Sequence, residues 1–237
     1  MLGESLASAD LFWSGLAAAW QEAFRQAWEA FRIGNIPVGA CATSADGAIV
    51  HAARNRVSDQ EGPTGEVYGS TLAHAEINGL ARLRFDLLKD LVLTTTLEPC
   101  LQCSAATRLG PISTVRYAGA DPLWVGCHDF SPLSAREAAR PKIEMAGPRI
   151  DELGLFGTLI SRLWVHRPKV VDYLRLSGET RSLALAQKLA EWGRVPMLAG
   201  MEVAEAFAYL WPDLEVISHP PGRQESGGGS ARGPAAR

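Results

Sequence analysis

The sequence predicts an α/β protein, a sheet with helices packed on its faces, and three observations carry that prediction. Short apolar runs of strand length alternate with stretches of helical apolar spacing. Gly, Pro and Asp punctuate the joins between them. The chain has 237 residues, 47 % of them hydrophobic and 21 % charged, which is enough apolar material for one sizeable core under an ordinary polar surface.

Taken in order, Leu16, Ala19, Trp20, Ala23, Phe24, Ala27 and Phe31 recur at helical spacing, so one amphipathic helix is expected over 11–31, stopping near "RIGNIP". "PVGACATSADGAIVHAARN" then holds two apolar runs around Asp46 and Gly47, a pair favoured in tight turns, and reads as a β-hairpin with Cys41 and His51 as packed strand residues. A loop follows from Val57 to Gly69. "LAHAEINGLARLRF" is helical by its spacing, "LVLTTTL" is a strand, "CLQCSAATRLG" is a helix closed by Gly110, and "STVRYAG" is a strand after Pro111. Beyond Asp121 the pattern weakens. "PRIDELGLFGTLISRLWVH" reads as a helix entered through Pro148, and "RSLALAQKLAEWG" and "MEVAEAFAYLWPD" as two more helices. The division expected is a domain over 1–166, a helical extension over 167–217 and a disordered tail over 218–237, whose Gly, Pro, Ser and Arg offer little to bury.

Charge and cysteine content narrow the function. The net charge is −3, and −5 without the tail, where Arg223, Arg232 and Arg237 outnumber Glu225. Nucleic-acid affinity rests largely on basic residues displacing counterions, so a nucleic-acid partner is not expected. Cys41, Cys100, Cys103 and Cys127 are too few and too scattered for a disulfide framework, and reduced thiols are expected. No run approaches the roughly 20 apolar residues of a membrane span, and the first residues carry acids rather than bases before their apolar part; a cytoplasmic protein without membrane contact is the expectation.

Chemistry concentrates at "TLEPCLQC", residues 96–103, where a strand hands over to a helix. Two thiols at i and i+3 share one helix face and serve equally as a redox pair, half of a zinc site or helix packing. Upstream, "HAE" at 74–76 supplies a further ligand. His74, Cys100 and Cys103 form a nitrogen and sulfur set suited to Zn²⁺, and three protein ligands leave a position for water. Each ligand group begins a helix, which favours thiolate. Glu76 is poorly placed to ligate beside His74, yet well placed to move a proton between that water and a leaving group.

With Pro99 before Cys100, the pattern is H-x-E…P-C-x-x-C, the signature of zinc-dependent nucleobase deaminases. The sequence resembles the cytidine and deoxycytidylate deaminase superfamily, most of all its tRNA adenosine deaminase and guanine deaminase branch. "PVGA", "HAEINGL" and "TLEPCLQC" stand in that branch's order, and the likeness runs from about Trp13 to about His166, where "KIEMAGPRIDELGLFGTLISRLW" is similar to its closing strand and helix. The resemblance implies a three-layer α/β/α fold with a mixed sheet, to which the C-terminal helices are added. It also implies Zn²⁺ on His74, Cys100 and Cys103, Glu76 as proton shuttle, Asn55 and the backbone of Ala75 as contacts to the base, and a homodimer. For Asn55 a plain turn role stands beside the ligand role.

The implied activity is hydrolytic deamination of a free nucleobase, nucleoside or small heteroaromatic amine. A base in tRNA or single-stranded nucleic acid is the alternative substrate, and a non-catalytic zinc module the alternative class. Departures from the branch are a long loop over 56–73, "STLAHAE" at the helix entry, and the appended helices. In "DPLWVGCHDF", Trp124 and Phe130 stack on a ring or simply pack, and Cys127 with His128 offers a second metal pair. The appended aromatics Trp192, Phe207, Tyr209 and Trp211 are expected at a pocket rim or subunit interface, with plain packing the alternative.

Overall fold

The computed structural model describes residues 2–84, 90–164 and 168–218. Five strands, β1 (Gly39–Thr43), β2 (Ile49–Arg54), β3 (Leu91–Leu97), β4 (Ile112–Gly119) and β5 (Glu144–Ala146), form one mixed sheet in the order β2-β1-β3-β4-β5. β1 is antiparallel to both neighbours, while β3, β4 and β5 run parallel. The β1–β2 hairpin turns on Gly47 at φ +89°, in the left-handed region where glycine carries no steric cost.

Strand alternation splits the core in two. On one side Ala40, Ala42, Leu93, Val115 and Tyr117 meet Ala75 and Leu80 of α3 (Ala75–Ala81). On this side α3 also touches α4 (Leu101–Leu109). The opposite face carries α2 (Ala18–Arg32) over β1 and β2, and α6 (Glu152–Leu163) over β3 and β4. Gly39 sets the first contact: a Cβ there would lie 2.0 Å from Ala23 O and 2.5 Å from Ala27 N, so the helix backbone rests directly on the strand.

The helix expected over 11–31 is two, α1 (Leu2–Ser14) and α2, parted at 15–17. Gly15 is a weak helix former, and the apolar spacing runs through the break because both helices face the same core. The helix expected over 72–85 is the shorter α3, because residues 71–73 turn and His74 takes the N-cap position; 85–89 lie outside the described residues. α6 is entered at Asp151, not Pro148, for the Asp151 carboxylate accepts from Gly154 N at 3.2 Å and so caps the helix. Between β4 and β5 a 3₁₀ turn (Ser131–Leu133) and α5 (Ala135–Ala139) fill the stretch where the sequence pattern is weak.

The appended helices are α7 (Pro168–Leu176), α8 (Arg181–Glu191), α9 (Val195–Ala199) and α10 (Val203–Ser218). α10 packs on α1, α2 and α6, and α8 on α6. Here the sequence expectation for the aromatics needs correction. Phe207 is fully buried, with ring centroids 5.7 Å from Phe12, 5.2 Å from Trp13, 5.2 Å from Phe156 and 5.3 Å from Trp211. Trp211 is buried beside it and Tyr209 is partly buried against the same cluster. The apolar face of α10 is used up by α1, α2 and α6, so these rings serve the core. Only Trp192 stays largely exposed, with the Arg194 guanidinium 4.7 Å over its ring. Apart from Ser218, the expected disordered tail lies outside the described residues. Among the described residues no helix is long and apolar enough to cross a membrane.

Candidate zinc site and its surroundings

His74 and Cys100 each occupy an N-cap position, of α3 and α4, with extended backbone, and Cys103 lies one turn into α4. Folding brings the three donors together. His74 Nδ1 is 3.5 Å from Cys100 Sγ and 3.4 Å from Cys103 Sγ, and the two sulfurs are 3.5 Å apart. Tetrahedral bonds of about 2.3 Å to sulfur and about 2.0 Å to nitrogen place neighbouring donors about 3.5–3.8 Å apart, so the triangle has the size a Zn²⁺ ion requires. Hydrogen bonding to Cys103 and His74 holds the Cys100 thiol well below the usual thiol range, while sharing that proton and burial push Cys103 up. His74 is raised, first by its bond to Cys100. One proton shared by two sulfurs is what a metal would displace.

Glu76 is 3 % exposed. Its Oε2 lies 3.3 Å from Cys103 Sγ and its Oε1 accepts from Thr95 Oγ1 at 3.4 Å. Burial pushes its carboxyl up, and a nearby dication pulls the other way. The site thus holds a carboxylate that is beside the donor triangle and outside it.

Asn55 directly follows β2 and is buried; its backbone N–H donates to Val38 O at 3.0 Å and its side-chain Oδ1 accepts from Val57 N at 3.1 Å. That is the turn role. Ala75, buried between His74 and Glu76, is the first residue of α3, so its N–H has no carbonyl partner within the helix. Cys41 is buried in β1, and His51 Nε2 faces Glu66 Oε1 at 3.6 Å, so both sit in strands as expected.

Cys127 and His128 gather no third donor: among the described residues His74, Cys100 and Cys103 are the one group of three clustered donors. His128 is instead held by Glu98 and Ser104, residues that sequence reasoning did not single out. Phe130 lines a cleft of about 230 Å³ with Val115, Ile143 and Met145, whereas Trp124 is exposed.

Also unforeseen is a lattice of ion pairs in the long loop: Arg54 with Asp59 at 2.8 Å, Arg56 with Asp59 at 2.9 Å, and Arg56 with Glu66 at 2.6 Å. The signal was available in the two arginines flanking Asn55, ahead of a loop rich in acids.

Residues 16–118 match the family model of the cytidine and deoxycytidylate deaminase zinc-binding region. The match supports Zn²⁺ as the metal, and His74, Cys100 and Cys103 within that stretch are positioned to bind it. The similarity extends to tRNA deaminases. The tRNA-specific adenosine deaminase of Aquifex aeolicus (strain VF5) is 36% identical over 103 residues, 42% of this chain and 62% of that protein. The tRNA-specific adenosine deaminase 2 of Xenopus tropicalis is 31% identical over 116 residues, 45% of this chain and 63% of that protein. The chain therefore spans about three fifths of the length of these relatives. Among solved structures, one from work on A-to-I editing by tRNA:A34 deaminases at the wobble position superposes with a TM-score of 0.44 and 25% identity, covering 54% of this chain and 96% of that chain.

Proposed function

We propose that this protein is a hydrolytic deaminase that removes an amine from a nitrogen heterocycle as ammonia, with a free nucleobase, nucleoside or related small heteroaromatic amine as substrate. The observation that carries this reading is the buried carboxylate of Glu76, 3.3 Å from Cys103 Sγ beside three zinc donors. A purely structural zinc site takes a fourth protein ligand and has no use for an unliganded acid. Bound Zn²⁺ supplies Lewis acidity, which makes a nucleophile of water at neutral pH. Glu76 would take the proton released from the attacking water on one carboxylate oxygen and deliver it to the ring nitrogen, and would then take the second proton, lost by the added hydroxyl as it becomes the product carbonyl, and pass it to the amine, which departs as ammonia. Thr95 Oγ1, donating to Oε1, orients the carboxylate for both transfers. Asn55 and the N–H of Ala75 hold the heterocycle's polar edge, the first through a side-chain amide whose Oδ1 already accepts from Val57 N.

Support for a small substrate comes from the arginines near the site, which are matched inside the chain. Arg54 and Arg56 pair with Asp59 and Glu66, and Arg108 pairs with Glu137 at 2.8 Å. Side chains committed in this way make no track for a phosphate backbone. The second reading, a base in tRNA, draws on the relatives named tRNA-specific adenosine deaminases. A homodimer is also proposed: Leu101 and Leu109 lie two turns apart on α4, 52% and 75% exposed, and a second copy would cover them.

The test is ammonia release from purines, pyrimidines, pterins and their nucleosides, with Glu76→Gln in parallel. The variant keeps its zinc and loses at least about 100-fold in rate. Equal turnover in the variant removes Glu76 from the mechanism, and inactivity on every small molecule together with salt-sensitive tRNA binding transfers the proposal to the second reading.

A further inference from the structure

We propose that His128 is a positioning residue of the zinc site, a staple that closes the cysteine motif from outside. Its Nε2 lies 2.9 Å from Glu98 Oε1 and its Nδ1 lies 2.8 Å from Ser104 Oγ. Glu98 stands two residues before Cys100, and Ser104 directly follows Cys103. One imidazole therefore joins the two ends of the segment that carries both thiols. A neutral ring with its proton on Nε2 satisfies both contacts: Nε2–H donates to the Glu98 carboxylate, and Nδ1 accepts from the Ser104 hydroxyl.

The segment needs such a tie. Helix starts fray because their first amides lack partners, and Ser, Thr, Asp or Asn at the N-cap normally supplies one, worth about 1 kcal/mol. Cys100 occupies that position in α4 and makes no side-chain cap bond, since its sulfur faces the metal donors. Here the hold comes from behind. Glu98 is itself fixed at both ends, by its amide to Gly119 O at 2.8 Å and by Oε2 accepting from Asp121 N at 3.0 Å. His128 is delivered by a turn in which Cys127 N bonds Trp124 O at 3.2 Å and Gly126 takes φ +81°. Cys127 adds a weaker contact, its Sγ 3.8 Å from Pro99 O.

The order Ser104, His128, Glu98 also matches a serine nucleophile with its base and orienting acid. The Ser104 amide, which would be the nearest donor to an oxyanion, is committed to Cys100 O at 2.8 Å within the helix, and this favours positioning over nucleophilic chemistry.

This inference rests on the zinc site and not on the identity of any substrate, so it is tested by metal retention alone. The purified, zinc-loaded full chain and its variants His128→Ala, His128→Gln and Ser104→Ala are mixed with a chromophoric chelator, and zinc release and affinity are read. Loss of groups that orient metal ligands costs about 10–100-fold in affinity. His128→Ala is expected in that range, Ser104→Ala close to it, and a protein carrying both His128→Ala and Ser104→Ala, assayed alongside, no worse than His128→Ala, because one staple is lost only once. His128→Gln, which keeps a donor toward Glu98, is expected to fall between and serves if the alanine variant does not fold. The cobalt-loaded variants should show altered ligand-field bands, which a loss of stability elsewhere would not produce. Zinc affinity within about twofold of the parent in every variant, with unchanged cobalt spectra, would overturn the proposal whatever the melting temperatures do. So would labelling of Ser104 by a fluorophosphonate that His128→Ala abolishes.

Discussion

Replacing Phe207 by Ala tests whether the appended helices and the sheet share one cooperative core. The ring is fully buried among four aromatic neighbours 5.2–5.7 Å away, from α1, from α6, from α10 itself and from the chain end of α1. Phe→Ala at such a site costs about 3–5 kcal/mol, the transfer of the ring plus the cavity it leaves. Collapse is restricted here, because Phe156 stacks on Phe24 and cannot tilt into the gap without leaving it. We take about 4 kcal/mol, a large share of the 5–15 kcal/mol that holds an ordinary domain together. At about 2–4 °C per kcal/mol for a chain of this size, the melting temperature falls by about 8–16 °C. The assay is calorimetry with far-UV circular dichroism on the zinc-loaded protein, with metal content measured before heating. Zinc should be retained, since α10 packs on the face opposite α3 and α4. A fall below about 3 °C would refute the reasoning, as would a separate early transition confined to the C-terminal helices with the main melt unmoved.

Two further outcomes follow from backbone contact and burial. Gly39→Ala drives a Cβ to 2.0 Å from Ala23 O, so α2 must lift off β1 by more than about 1 Å; a loss of about 3 kcal/mol in urea unfolding is expected, at the upper end of overpacking costs. Burial pushes the Cys41 thiol up to about 12 from an ordinary 9.0, so it should ignore a thiol reagent until the chain unfolds. The sign of the linkage is fixed by that shift. Above pH 9 the unfolded thiol ionises and the folded one does not, so this contribution is complete below about pH 9 and declines toward pH 12. Cys41→Ala should flatten the fall in urea midpoint between pH 8 and pH 10.5.

The donor triangle was legible in the sequence because ligands for one ion must be few, chemically distinctive and tied to helix starts, and His74, Cys100 and Cys103 meet all three conditions. β3 and the hairpin were legible for a similar reason, since a strand buried on both faces reads as an apolar run and Asp46-Gly47 admits few turns. The helix break at Gly15 was not, because two helices that bury the same side against one core leave a single unbroken periodicity. Nor were the partners of Phe207, for apolar spacing states that a face is buried and is silent about what covers it. His128 lay hidden for another reason: its two partners are 30 and 24 residues away, and nothing local distinguishes it from any loop histidine.

The ion-pair lattice of the long loop bears on how such a chain can change. Asp59 is shared by Arg54, Arg56 and the Asn35 amide, and Arg56 is shared by Asp59 and Glu66. Every member answers to more than one neighbour, and the side chains are 4–13% exposed, so removing one leaves another charge stranded away from water. Single substitutions here carry a penalty before they can bring any new contact to a substrate. Altering this loop by stepwise mutation is therefore an uphill path, and exchange of the segment from Arg54 to Glu66 as one cassette, with its ion pairs kept together, is the route an engineer or an evolving lineage would find open.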